Sequence, residues 1–345
     1  MKILSIDTSC DETAAAVTED TKILSNIIWS QASAHAKFGG VMPSLAQRMH
    51  EERIDFVVKK ALGKFDISKN IDAIAVTVGP GLSIALRVGV NKAKELALKY
   101  KKRLIAVNHL EGHILSSLAN SGITNFQFSI SNLKFPALGL VISGKNTQII
   151  QMDKIGGYKI LAETHDDALG EALDKAARML GLGYPGGAIF EKMAELGNSK
   201  KYKLPVPMAG QENRRMFSYS GLKTSMMRLV ESEKPLTKEK IYDLAASFQN
   251  IAFTHVTRVL HFILSNDYPK IPKDLLVGGG VGINVEMRKR LRKLGKAFNI
   301  NLHFPYSNRL YGDNAAMIGI AAYFKAEREE FVDPDKIDRD PRAKL

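Results

Sequence analysis

Two stretches of this chain open in the same way, and that recurrence limits what it can fold into. Lys2 to Asp7 reads as an apolar strand, and Ala14 to Thr18 and Ile23 to Ser30 read as two more around the polar turn Glu19-Asp20-Thr21-Lys22. The second opening follows Pro136: Ala137 to Ile142 is an apolar strand, Ser143-Gly144-Lys145-Asn146 a turn, and Thr147 to Met152 the returning strand. Each opening gives way to alternating helices and strands. The first half continues as helix Pro43 to Leu62, strand Ala73 to Val78, helix Ser83 to Tyr100, strand Leu104 to Val107 and a helix from near His109. The second continues as helix Leu169 to Leu180, strand Asp274 to Val277, helix Asn284 to Lys296 and helix Gly312 to Ala326. This order predicts a duplicated α/β body of two lobes with a ligand cleft between them, because pockets form preferentially where domains meet. The predicted division is an N-terminal lobe over 1–108, a C-terminal lobe with helical insertions over 109–330, and a charged tail over 331–345 that is expected to fray.

The single cysteine, Cys10, excludes an intramolecular disulfide and a cysteine-based zinc cluster, so any metal must use imidazoles and carboxylates. No apolar run approaches the roughly 20 residues needed to span a bilayer, and the first core strand begins at Lys2. A cytoplasmic protein, neither secreted nor membrane-inserted, is the expectation. Lys and Arg outnumber Asp and Glu by 49 to 36, a formal charge of +13 that favours polyanionic partners. A generally lysine-rich composition gives the same balance, so the charge alone does not place a site. Two local concentrations stand out: Lys99, Lys101, Lys102 and Arg103, and the helix from Arg288 to Lys296.

In His109-Leu110-Glu111-Gly112-His113 two imidazoles stand four residues apart, on one helix face, the spacing for a shared metal ion. Leu110 occupies the place where a zincin carries its general-base Glu, so the segment is not a metalloprotease motif. Asp313, beside Gly312 at a helix start, is the candidate third ligand; two imidazoles and one carboxylate suit Zn(II) or Fe(II) and leave positions open. The bland readings are two capping histidines and an N-cap aspartate. Glu171 and Asp174 stand three apart on a helix after Asp166 and Asp167, so both can face one cleft, or can simply complement the helix dipole. Gly278-Gly279-Gly280-Val281-Gly282-Ile283-Asn284 lies between a strand and a helix, where glycines admit a nucleotide closely or only make a turn. Asp7, Asp11 and Glu12 surround the first turn, as acids that handle metal-bound phosphate or as solvated turn residues.

Together these residues resemble the tRNA N6-adenosine threonylcarbamoyltransferase family, formerly labelled O-sialoglycoprotein endopeptidase, in its bacterial and organellar branch. The resemblance runs through Ile6 to Thr13, the His35 to His50 stretch with Gly39-Gly40-Val41, Gly79-Pro80-Gly81-Leu82, His109 to His113, Glu171 to Lys175, Tyr184 to Gly187, Phe217 to Thr224, Gly278 to Asn284 and Gly312-Asp313-Asn314. It implies the actin, sugar-kinase and Hsp70-ATPase type of duplicated fold. It also implies transfer of a threonylcarbamoyl group from threonylcarbamoyl-AMP to a tRNA adenosine, forming N6-threonylcarbamoyladenosine and AMP. One divalent metal on His109, His113 and Asp313 is implied, with Asp174, Gly187, Glu191 and Asn284 holding the nucleotide-linked substrate and the hairpin Val141, Ile142, Ser143, Gly144 and Lys145 beside it. Asp11 or Glu12 would assist proton removal. The implied partners are tRNA, a paralogous inactive subunit and a small ATPase. Two positions depart from the family pattern: Lys145 stands where a second glycine is usual, and Ser44 where Glu is usual. An ATPase or small-molecule kinase on the same fold is the rival expectation, against which the paired histidines weigh because Mg²⁺ prefers oxygen ligands.

Overall fold

The computed structural model describes residues 1–121, 130–268 and 271–345. Its first half carries β1 (Lys2–Asp7), β2 (Glu12–Glu19), β3 (Lys22–Ser30), α1 (Ala32–Ala36), α2 (Pro43–Leu62), α3 (Ile67–Asn70), β4 (Ala73–Gly79), α4 (Ser83–Tyr100), β5 (Arg103–Asn108), α5 (His109–Leu115) and β6 (Asn120–Ser121). The second carries β7 (Ala137–Ile142), β8 (Thr147–Lys154), β9 (Gly157–Thr164), α6 (Leu169–Met179), α7 (Gly187–Glu195), β10 (Met216–Phe217), α8 (Ser220–Ser232), α9 (Lys238–Asn266), β11 (Asp274–Gly278), α10 (Val285–Phe298), β12 (Asn301–His303) and α11 (Ala315–Glu327). No described helix is long and apolar enough to cross a membrane.

The described strands form two sheets, ordered β5-β4-β1-β2-β3-β6 and β10-β9-β8-β7-β11-β12. In each, the opening meander is antiparallel and the later strands add in parallel, two on the side of its first strand and a short one beside its third. The repeat predicted from the two openings is therefore present as one topology used twice.

Both faces of each central strand are covered, which is why these strands read as nearly unbroken apolar runs. In β7, Leu138, Leu140 and Ile142 enter a core with α6 to α10, while Ala137 and Val141 enter a second core shared with the first sheet. In β1, Leu4 and Ile6 pack under α2 and α4, while Ile3 faces the shared core. That shared core holds α5 and α11 between the two sheets, and it includes Leu110, Ile114, Ala315 to Ile318 and Ile320 to Ala322. Helix α11 lies against β1 and β2, and the Ser5 hydroxyl donates to the Ala315 carbonyl at 2.6 Å.

The tail does not fray. Val332 N–H donates to Leu104 O at 2.9 Å, Asp340 N–H to Val78 O at 2.7 Å, and Asn108 Nδ2 to Lys344 O at 3.0 Å. Arg339 Nε donates to Ser83 Oγ at 3.0 Å, and Ile337 packs into the core beneath α2 and α4. Charged composition misleads here because the segment is held by its backbone and by apolar anchors, Phe331, Val332, Ile337 and Leu345.

Candidate metal centre and interlobe cavity

The helix that carries the histidines begins where Asn108 dictates. Its Oδ1 accepts from the amides of Leu110 at 2.8 Å and Glu111 at 3.4 Å, so His109 and His113 fall one turn apart on the same face. Asn108, and not either histidine, is the cap. At α11 the cap is Asn314, whose Oδ1 accepts from Met317 N–H at 3.0 Å. Asp313 is thus released from capping and its carboxylate is free to serve the histidines. His113 is seated by backbone contact: a Cβ on Gly278 would lie 2.0 Å from the His113 carbonyl oxygen, so only glycine lets β11 pass there. A Cβ on Gly279 would lie 2.5 Å from Ile142 O, so these two glycines serve packing, while Gly280 alone of the three faces open space.

His109 Nε2 stands 3.4 Å and His113 Nε2 3.2 Å from Asp313 Oδ1, with the two rings edge to face at 4.6 Å. One ligand atom from each of the three lies within 4.8 Å of the others. Behind His109, Asp7 Oδ1 is 3.7 Å from Nδ1. Asp7 Oδ1, His109 Nδ1 and both nitrogens of His113 are buried without a hydrogen bond. Leaving such groups unsatisfied costs about 1–3 kcal/mol each. A cation among His109, His113 and Asp313 removes part of that cost, so the donor set fits a metal. Burial opposes protonation of His109, but Asp313 and Asp7 outweigh it and hold its pKa at about 10. Burial keeps His113 low, and although burial opposes it, the imidazoles hold the Asp313 carboxyl well below its ordinary value. A cation would displace the proton these groups otherwise share.

This centre opens into a cavity of about 650 Å³ with walls from both halves. Asp11, Gly39, Gly40, Val41 and Gly81 come from the first, and Ser143, Gly144, Lys145, Glu171, Asp174 and Tyr184 from the second, with His109 and Asp313 at the floor and Pro341 of the tail at the rim. Arg178 of α6 reaches across to Gly39 O at 2.8 Å. The turn after β7 is closed by Ser143, whose N–H donates to Asn146 O at 2.8 Å and whose hydroxyl accepts from Asn146 N–H at 3.1 Å. Lys145 is exposed at its tip, with no ion pair among the described residues.

Not every predicted site residue meets in this space. Val141 and Ile142 are fully buried in the two cores and can reach a ligand only through backbone. Asp174 Oδ1 accepts from Gly186 N–H at 2.8 Å and Gly187 N–H at 3.0 Å, which fixes the entry of α7. Glu191 accepts from Val285 N–H at 2.7 Å, and Asn284 caps α10 while donating to Gln249 at 3.0 Å. Gly187, Glu191 and Asn284 therefore form a cluster beside the cavity and not in its wall. Glu12 also stands back, accepting from Ser30 Oγ at 3.1 Å, and burial with the adjacent Asp11 pushes its carboxyl well up. Asp166 and Asp167 are partnered acids: Asp166, though exposed, binds Ser218, Tyr219 and Ser220 at the start of α8, and Asp167 pairs with Lys175 and Lys223. Asp7, one of the three acids read around the first turn, stands behind His109; Arg178 across the cleft and Pro341 at the rim left no signal in the sequence.

Fold and site together define a two-lobed α/β protein of the actin and sugar-kinase type with a three-ligand centre in its cleft. The fold is shared with full-length HypF in its phosphate- and nucleotide-bound form, at a TM-score of 0.60 and 14% identity over 96% of this chain and 56% of that one. It is shared likewise with the activator of the 2-hydroxyisocaproyl-CoA dehydratase from Clostridium difficile, at 0.53 and 14% over 96% and 97%. The model of the tRNA N6-adenosine threonylcarbamoyltransferase family matches residues 22–320. Relatives bearing that name are 42% identical in Bartonella tribocorum, over 100% of this chain and 94% of that protein, and 42% identical in Endomicrobium trichonymphae, over 95% and 93%. The chain belongs to this family of tRNA-modifying transferases.

Proposed function

We propose that the chain transfers a threonylcarbamoyl group from threonylcarbamoyl-AMP to the exocyclic amine of the adenosine next to the tRNA anticodon, releasing AMP. The observation that carries the reading is the convergence of His109, His113 and Asp313, the first and last of them at the floor of a cavity walled by both lobes. These three would hold one divalent cation, Fe(II) or Zn(II), which supplies Lewis acidity toward an acyl oxygen when bound. Asp7, 3.7 Å behind His109 Nδ1, is placed so that a small shift on metal binding would let it accept from that nitrogen, as an outer carboxylate does for a ligating imidazole. The turn Ser143 to Asn146 would offer the exposed Lys145 ammonium to the adenylate phosphate, which favours departure of AMP. Asp174, Gly187, Glu191 and Asn284 fix the elements that receive the nucleotide portion.

Of the two acids proposed for proton removal, Asp11 lines the cavity and Glu12 does not. Burial and the adjacent Asp11 raise the Glu12 carboxyl, and Asp11 is the acid in the cavity wall, so Asp11 is assigned to accept the proton from the attacking amine. The tRNA substrate, a cytoplasmic setting and assistance from a paralogous subunit and a small ATPase belong to the same reading, as does the division into lobes 1–108 and 109–330 with the 331–345 tail.

The test is mass spectrometry of tRNA nucleosides after incubating the metal-loaded chain and its bacterial partners with threonylcarbamoyl-AMP and unmodified tRNA. Wild type should yield N6-threonylcarbamoyladenosine, and His113→Ala should lower the rate at least about a hundredfold, the scale on which loss of an essential polarising group acts. Unmodified tRNA from the complete wild-type mixture would refute the transfer.

A further inference from the structure

We infer that the outer face of α10, with the groove between α9 and α10, binds the phosphate backbone of the tRNA; this rests on the tRNA-modifying reading above. The chain offers two basic faces, and the structure separates them. At the first, Lys102 Nζ is spent on Ser68 O at 2.8 Å, Arg103 lies over the Phe331 ring at 4.2 Å, and Lys99 lies over Tyr100 at 5.5 Å. Its cations are mostly engaged with their own protein.

At α10 the arginines are likewise engaged, but three lysines are not. The two acids lining the groove are already neutralised, Glu286 by Arg290 at 2.8 Å and Glu212 by Arg258. Lys289 and Lys293 on its rim are exposed and carry no ion pair among the described residues, and the same holds for Lys296 one turn on. The groove encloses about 900 Å³ over half-buried Phe262 and Phe298. Cationic rim over aromatic floor is the combination that takes a nucleic-acid backbone with an unstacked base.

A second side of the same helix leads toward the metal centre. Arg288 and Arg292 lie over the Phe304 ring at 4.9 Å and 5.6 Å, and Arg288 over Tyr311 at 6.0 Å. Tyr311 stands two residues before Asp313. Lys289, Lys293 and Lys296 follow one another at about 6 Å and about 4.5 Å of helix rise. An RNA strand laid along α10 thus meets a row of cations.

The test is direct binding of an unmodified anticodon stem–loop RNA to the full chain, read without turnover between about 50 and 200 mM salt. The variant K289A/K293A/K296A is compared with K99A/K101A/K102A, which removes the same charge from the other face. The first should bind at least about tenfold more weakly at 100 mM salt, with a salt slope smaller by about 2, and the second should stay within about twofold of wild type. Circular dichroism and melting should be unchanged in both. Wild-type affinity and slope in the α10 variant, the result if an acidic protein occupies that face instead, would overturn the inference, as would equal losses in both variants. RNA bound through α10 but left unmodified would sink the transfer reading and leave this one standing.

Discussion

His255 shows how a single buried ring can be read through its surroundings. It is 2% exposed in α9, stacked edge-on by Phe217 and Tyr219, and its Nε2 accepts from Ser218 N–H at 3.3 Å. Burial lowers its pKa to about 4 from an ordinary 6.5. The folded state therefore takes up its proton only below the pH at which the unfolded chain does. Above pH 6.5 the residue costs nothing; as pH falls toward 4 the unfolded state gains protons first and stability drops. Between pH 7 and pH 5 the loss should be on the order of 2 kcal/mol. Urea unfolding at the two values checks it, and His255→Gln should remove most of that difference; an equal drop in the variant would place the acid sensitivity elsewhere. At this scale the sequence made much legible: spacing alone put His109 and His113 together, and the acid at the helix start proved to be their neighbour. It could not show that Asn108 and Asn314 take over the capping, because either asparagine and either ligand fits a cap by residue type.

Among the elements, those with a single period were readable and those without were not. The spans of β1, β7, α2 and α4 match their expected limits because turns or Pro bound clean apolar patterns. Helix α9 escaped although it runs 29 residues, because Leu244 to Gln249 is buried without interruption and shows no stripe of period 3.6. The hairpin partner β9 alternates half-buried and exposed residues too weakly to signal a strand. The tail inverts the usual expectation for charged termini, since its contacts with Leu104, Val78, Ser83 and Asn108 are long-range pairings invisible in a local window. A chain ending at residue 331 should be measurably less stable, because it loses the hydrogen bonds to Leu104, Val78, Ser83, Asn108 and Gly81 and the packing of Val332 and Ile337. Thermal or urea unfolding of the shortened chain tests this. Unchanged stability would mean that the segment rests on the lobe without holding it.

For the whole molecule, the duplicated sheet supplies two similar walls, and α5 and α11 fill the core between them. His109 and His113 project from one of these helices and Asp313 precedes the other, so the centre depends on the seam between the halves and not on either half alone. Distance in sequence, about two hundred residues from His113 to Asp313, is what hides such a centre from local pattern. The account stands on that centre being a metal site. Elemental analysis of the purified chain, wild type beside the folded His109→Ala/His113→Ala double variant, measures it directly. One equivalent of a divalent transition metal in the wild type and essentially none in the double variant is the result expected; equal metal content in both would contradict it.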